Sequence, residues 1–279
     1  MSDRKPLQPE EYLEQSCLLC ETPRGTAEEV RSIPQKRIIE KLDEYTNRRD
    51  YDGARRHLLY WLEEAKLEHD LRGQLLLRNE LTGHFRKTGD KENALQNADE
   101  ALRLLDELDF AGTVSAGTTY TNAATAYHAF GEQKRALALF EKAREVYESH
   151  KNIDPSLLGG LYNNMGLCCA ALKDYTRAFS FYEKAMDAMA KVPEGKPEQA
   201  ITCLNMANAV EEEQGMEQGE HRIYDLLDKA LELLRDETAP RDGYYAFVCE
   251  KCAPTFSYYG YFLAAEELKE QAEKLYERT

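Results

Sequence analysis

Apolar positions along the chain recur at gaps of three and four, the mark of one buried face of a helix. Ile38, Leu42 and Tyr45 form one such set, and Tyr120, Ala124 and Tyr127 another. After each set comes a short turn and a second amphipathic stretch: DYDGARRHLLYWLEEA, GDKENALQNADEALRL, GEQKRALALFEKAREV, KDYTRAFSFYEKAMDA and, near the end, GYFLAAEELKEQAEKL. Gly89-Asp90, Gly131-Glu132 and Gly260 fall between paired helices, while Asp154-Pro155 and the PEGKPE run at 193–198 fall between pairs. No alternating strand pattern competes, so the chain is expected to be all-α.

The first core alanine of each second helix serves as a ruler. Ala54, Ala94, Ala136 and Ala178 are 40, 42 and 42 residues apart, Ile223 follows 45 further on, and Ala265 another 42. A period of this size means stacked helix pairs, each burying its apolar face on its neighbours. The longer step predicts an enlarged turn in EEEQGMEQGEHR, residues 211–222. Small residues such as Ala124, Gly166 and Ala178 admit close helix approach, and large ones such as Tyr127 and Phe140 fill the adjoining hollows.

The fourth pair, with Tyr162, Met165, Gly166 and Cys169 followed by Ala178, Tyr182 and Ala185, resembles the tetratricopeptide-repeat family. The likeness extends over about six units, and the 42-residue spacing is similar to the longer repeats of kinesin light chains. What it implies is a helical-repeat solenoid of antiparallel helix pairs wound as a right-handed superhelix. The repeat domain is placed at 34–279, after an N-terminal helical extension, 1–33, that contains the acidic helix candidate QPEEYLEQSCLLCE.

Charge and composition narrow the class of work. With 36 basic and 51 acidic residues the net charge is −15, which argues against nucleic acid as a partner. No stretch approaches the roughly 18 consecutive apolar residues of a membrane span, and the first residues lack a signal-peptide core. The expectation is a soluble cytoplasmic protein without a membrane partner. Seven cysteines, an odd number set in apolar patterns, suit reduced thiols. The pairs Cys17/Cys20 and Cys249/Cys252 lie too far apart in sequence for a zinc ribbon and are read as buried thiols, so no metal is expected. The six histidines form no ligand pair, and no phosphate-binding loop or nucleophile motif is present. The chain is therefore expected to be no enzyme and to need no cofactor.

The resemblance implies that one face of each first helix looks into a concave groove, the face that in the family commonly carries ligand contacts. Asn122, Asn164 and Asn205 are expected to fall at one slot of three successive units, two residues after the first signature position. Asn79, Thr121, Thr125, Asn163 and Asn208 lie close by, with Arg86 and Lys87 toward the second unit and Glu211 and Glu212 toward the fifth. Asparagine has only middling helix propensity, so its recurrence asks for a reason. One is hydrogen bonding to the neighbouring helix. The other, which the resemblance implies, is a grip on the main chain of an extended peptide, since an amide offers both donor and acceptor. The chaperone-tail clamp of the family is not matched, because its slots hold Ile39 and Asp43. The expected function is thus an adaptor that binds a protein or extended peptide segment. The alternative is a structural protein assembling as a homodimer through its C-terminal repeat, where Tyr244, Tyr245, Phe247, Phe256, Tyr258, Tyr259, Tyr261 and Phe262 cluster.

Overall fold

A computed structural model describes residues 31–277. The readings made for Cys17, Cys20 and the extension up to residue 30 fall outside them. Among the described residues there are twelve α-helices and no strand, in two compact units divided after Phe110. The first holds α1 (Gln35–Asn47), α2 (Tyr51–Leu67), α3 (Leu71–Thr88) and α4 (Lys91–Glu107). The second holds α5 (Val114–Ala129), α6 (Gln133–Ser149), α7 (Pro155–Ala171), α8 (Tyr175–Met189), α9 (Lys196–Gln214), α10 (Met216–Arg235), α11 (Gly243–Tyr258) and α12 (Phe262–Tyr276).

All six ruler residues, Ala54, Ala94, Ala136, Ala178, Ile223 and Ala265, are buried, one in each even-numbered helix. Within a pair the turn has one design. A residue with left-handed φ stands at Arg49, Gly89, Gly131, Lys173, Gly215 and Gly260. At five of these turns the amide of the next residue reaches back to a carbonyl five positions earlier, as from Asp90 to Phe85 and from Asp174 to Cys169, both at 2.9 Å. Asp50, Asp90 and Asp174 then cap the second helix by accepting the amides of Gly53, Asn93 and Arg177. Lys173, at φ 62°, occupies with a β-carbon a conformation that suits glycine. Lys173→Gly is expected to stabilise the protein by about 0.5–1 kcal/mol, the strain relieved exceeding the backbone entropy added. Thermal melting checks the sign.

The enlarged turn expected at residues 211–222 is not there. Instead α9 runs to Gln214, Gly215 alone makes the break, and α10 starts at Met216. From left-handed residue to ruler the interval is five residues elsewhere but eight from Gly215 to Ile223, so the insertion is absorbed as roughly one additional helical turn. The added turn is seated by Gly219, where a β-carbon would overlap a methyl of Val210.

In the second unit α5 packs on α7, α7 on α9 and α9 on α11, forming one layer of first helices. Each of these also packs on its own partner, α6, α8, α10 or α12. Glycines permit the closest approaches: Gly117 lies under the Tyr147 ring, Gly159 under Met189 and Gly166 under the Tyr182 ring. The last helix buries Leu268 and Ala272 and half-buries Leu275, with Glu266, Lys269, Glu270 and Lys274 exposed, as its pattern predicts. The aromatic cluster divides. Tyr245, Phe256 and Tyr259 are core, whereas Tyr258 and Phe262 are 70% and 65% exposed.

Candidate functional site

Two first helices of the second unit, α5 and α7, differ chemically from their partners. Neither α5 nor α7 contains a single Asp, Glu, Lys or Arg. Charges are concentrated on the second helices, where Arg144 bridges Glu141 and Glu148, and Arg177 reaches Glu141. On α5, Thr118, Thr121, Asn122 and Thr125 share one half-buried face, and on α7 Gly160, Asn163, Asn164 and Leu167 do so at the same gaps. The result is a polar, charge-free strip.

Counting back from the left-handed residue of each unit corrects the expected register. Asn163 is ten residues before Lys173, Asn205 ten before Gly215, Thr121 ten before Gly131 and Asn79 ten before Gly89. Asn205 therefore matches Asn163, not Asn164; Asn122 and Asn164 form the adjacent column, which continues as Met206. The slip arises because Cys203 and Leu204 are both apolar and both buried, and the signature slot belongs to Leu204.

The corrected column is joined by hydrogen bonds between α7 and α9. Asn163 Oδ1 accepts from Asn205 Nδ2 at 2.9 Å and from Thr202 Oγ1 at 3.2 Å. Asn163 Nδ2 and Asn205 Oδ1 make no hydrogen bond among the described residues, and neither does the Asn164 amide. The paired amides are thus oriented by each other, and a donor and an acceptor remain unused. At Gly160 a β-carbon would meet nothing within 4 Å, so no packing within the chain requires glycine there.

The other expected site residues are partly committed elsewhere. Thr125 Oγ1 bonds the Thr121 carbonyl of its own helix at 2.7 Å, and Asn208 Oδ1 accepts from the Tyr259 hydroxyl at 3.1 Å. Asn79, Arg86 and Lys87 lie on α3, in the first unit. The Asn79 amide bonds the Leu75 carbonyl at 3.1 Å, and the Lys87 ammonium stands 4.9 Å from the Tyr51 ring centre. Glu211 is not an open acidic contact: its two oxygens accept from Tyr258 at 2.8 Å and Tyr259 at 2.7 Å. Glu198, its carboxyl pushed up by burial, accepts from Tyr244. This tyrosine-to-carboxylate stitching of α11 to α9 is long-range, with no signal in local sequence.

None of the described groups makes a reactive centre evident. Burial pushes the thiols of Cys249 and Cys252 up to about 12, away from the thiolate needed for nucleophilic or metal chemistry. Burial likewise lowers the pKa of His57, His84 and His128, and no group of potential metal ligands gathers among the described residues.

The model of the tetratricopeptide repeat matches residues 72–149, from α3 to the end of α6. Residues 72–149 carry tetratricopeptide repeats. Such repeats are protein-interaction scaffolds, and the helix pairs at either side of the matched region extend the same plan. Solved structures agree on the fold. The putative kinesin light chain repeats of Podosopora anserina, described as nearly identical and TPR-like, are 17% identical with a TM-score of 0.50, over 72% of this chain and 94% of that one. BtubC (BKLC) of P. vanneervenii, also 17% identical with a TM-score of 0.50, is matched over 88% of this chain and 91% of its own. No curated protein matches by sequence. The described helices include none long and apolar enough to cross a membrane.

Proposed function

We propose that this tetratricopeptide-repeat protein is a non-enzymatic cytoplasmic adaptor, and that the charge-free strip of α5, α7 and α9 holds an extended segment of a protein partner. The observation that carries the reading is the Asn163–Asn205 pair: each amide fixes the other, leaving one donor and one acceptor to serve a peptide N–H and C=O. Asn164 and Asn122 flank the pair, and the bare backbone at Gly160 admits close approach. A main-chain grip of this kind is tolerant of ligand sequence. Selectivity then rests on what surrounds the strip.

A partner recovered from native extract and narrowed to a peptide provides the test. Asn163→Ala with Asn205→Ala is expected to weaken binding by roughly 0.5–1.5 kcal/mol for each ligand hydrogen bond lost, with the fold retained. Undiminished affinity in the double variant would remove the strip from the binding site. A fall in stability without a change in affinity would leave the amide pair a purely structural tie.

A second reading is favoured by one observation. Tyr258, Phe262 and Leu263 are 70%, 65% and 89% exposed at the α11–α12 turn, an apolar surface suited to homodimerisation. Light scattering at micromolar concentration distinguishes the readings: a monomer excludes obligate assembly, and a dimer lost on Leu263→Glu supports it.

A further inference from the structure

The large apolar side chains that the second unit leaves exposed, among the described residues, are Met216, Tyr244, Tyr258, Phe262 and Leu263. All but Tyr244 stand at two turns, that of Gly215 between α9 and α10 and that of Gly260 between α11 and α12. Packing of α9 on α11 sets these turns side by side. Tyr258 and Tyr259 donate to Glu211, which is five residues before Met216.

The charge along this edge has one sign. Glu212, Glu213, Glu217 and Glu220 are exposed, and none is in an ion pair among the described residues. There is no Lys or Arg from Ala207 to His221, nor from Cys252 to Leu268. The cations that follow are engaged: the Arg222 guanidinium lies 4.1 Å from the Phe179 ring centre, and Lys269 pairs with Glu266 at 2.7 Å. His221 stands 2.8 Å from Asp225. On the next turn, between α7 and α8, Lys173 is followed by Asp174, so that turn adds no net charge.

We propose that this edge binds a basic segment of a partner protein, one that carries Arg or Lys together with large apolar side chains. The hydroxyl of Tyr258 is held by Glu211, so the ring is fixed while most of its surface meets solvent, and Tyr259 stands edge-on to it at 4.9 Å between ring centres. A guanidinium laid on that ring gains from its π face and from the carboxylates of the rim. Apolar side chains of the same segment are received by Phe262 and Leu263, the latter 89% exposed. A second copy is the weaker occupant, because a two-fold pairing of the edge with itself sets Glu212, Glu213, Glu217 and Glu220 against their own copies. The edge shares no residue with the Asn163–Asn205 pair, and the proposal stands without the strip.

A labelled synthetic peptide of leucine and arginine is the probe, read by fluorescence anisotropy on the full chain at low salt, with a leucine and glutamate peptide of the same length as control. The first is expected to bind and the second not. Because the whole molecule is acidic, variants of equal net charge are compared: Glu212→Gln, Glu213→Gln and Glu217→Gln against Glu194→Gln, Glu232→Gln and Glu237→Gln, all at exposed positions. The first set is expected to weaken binding about tenfold more than the second, and Leu263→Ser to weaken it about fivefold with no change of charge. Should Leu263→Ser lose helix content by circular dichroism, Leu263→Gln takes its place. Equal affinities in the two charge sets would overturn the proposal. So would loss of peptide binding in the Asn163→Ala, Asn205→Ala variant, since the peptide would then occupy the strip. A dimer that Leu263→Ser abolishes and the peptide leaves intact would overturn it too, with a second copy as the occupant.

Discussion

Gly166→Ala is expected to destabilise the second unit by about 1–3 kcal/mol, while Gly160→Ala, six residues earlier on the same helix, stabilises it by about 0.5–1 kcal/mol. Alanine is the better helix former, so propensity alone predicts a gain at both sites. Packing decides otherwise at one of them. A β-carbon on Gly166 would overlap the ring of Tyr182, which is fully buried and has no room to withdraw, whereas at Gly160 it would stand in open space. Urea melts of the two variants therefore move in opposite directions. If both moved upward, the close contact between α7 and α8 would be wrong, and with it the helix pairing that the glycine permits. The Gly160→Ala variant has a second use: a more stable protein that binds its partner less well would separate the needs of the ligand from those of the fold.

Phe256→Ala is expected to cost about 3–5 kcal/mol. The ring is fully buried on α11, its centre 5.9 Å from that of Tyr261, and it belongs to a core shared by α9, α10, α11 and α12. The neighbouring Tyr261 ring is tied by its hydroxyl to Asp228 at 2.7 Å, which opposes its swinging into the cavity. Repeats couple chiefly to adjacent repeats, so the loss should appear first as faster hydrogen exchange in α11 and α12. Protection of α5 and α6 should change least. Uniform loss of protection throughout the second unit would mean that its repeats unfold as one body.

The repeat plan was legible because alanine stands at the same slot in five of the six units, from Ala54 to Ala265, and the sixth holds another buried apolar residue, Ile223. Two features escaped for physical reasons. The stretch around Gly215 and Gly219 has the composition of a turn, yet one glycine is needed for a sharp break and the other for contact with Val210, and the glutamates around them are good helix formers. The register of Asn205 was hidden because adjacent apolar residues, Cys203 and Leu204, both satisfy a helical pattern; only the turn geometry distinguishes them. The Asn163–Asn205 bond, between residues 42 apart, and the tyrosines of α11 that donate to α9, depend on which helices become neighbours. Residue types announced polar contacts there, and the fold chose the partners.

The absence of ionised side chains from α5 and α7 has a consequence for how a partner behaves in salt. A segment seated on that strip breaks no ion pairs when it leaves, so its residence time should hardly vary between dilute buffer and half-molar sodium chloride. Arrival is another matter. A molecule with a net charge of −15 repels acidic visitors and draws in basic ones over a distance that shrinks as the Debye length falls from about 10 Å toward 3 Å. Ionic strength would therefore govern the rate of capture and leave the rate of release nearly alone, a division of labour between the charged second helices and the uncharged α5 and α7.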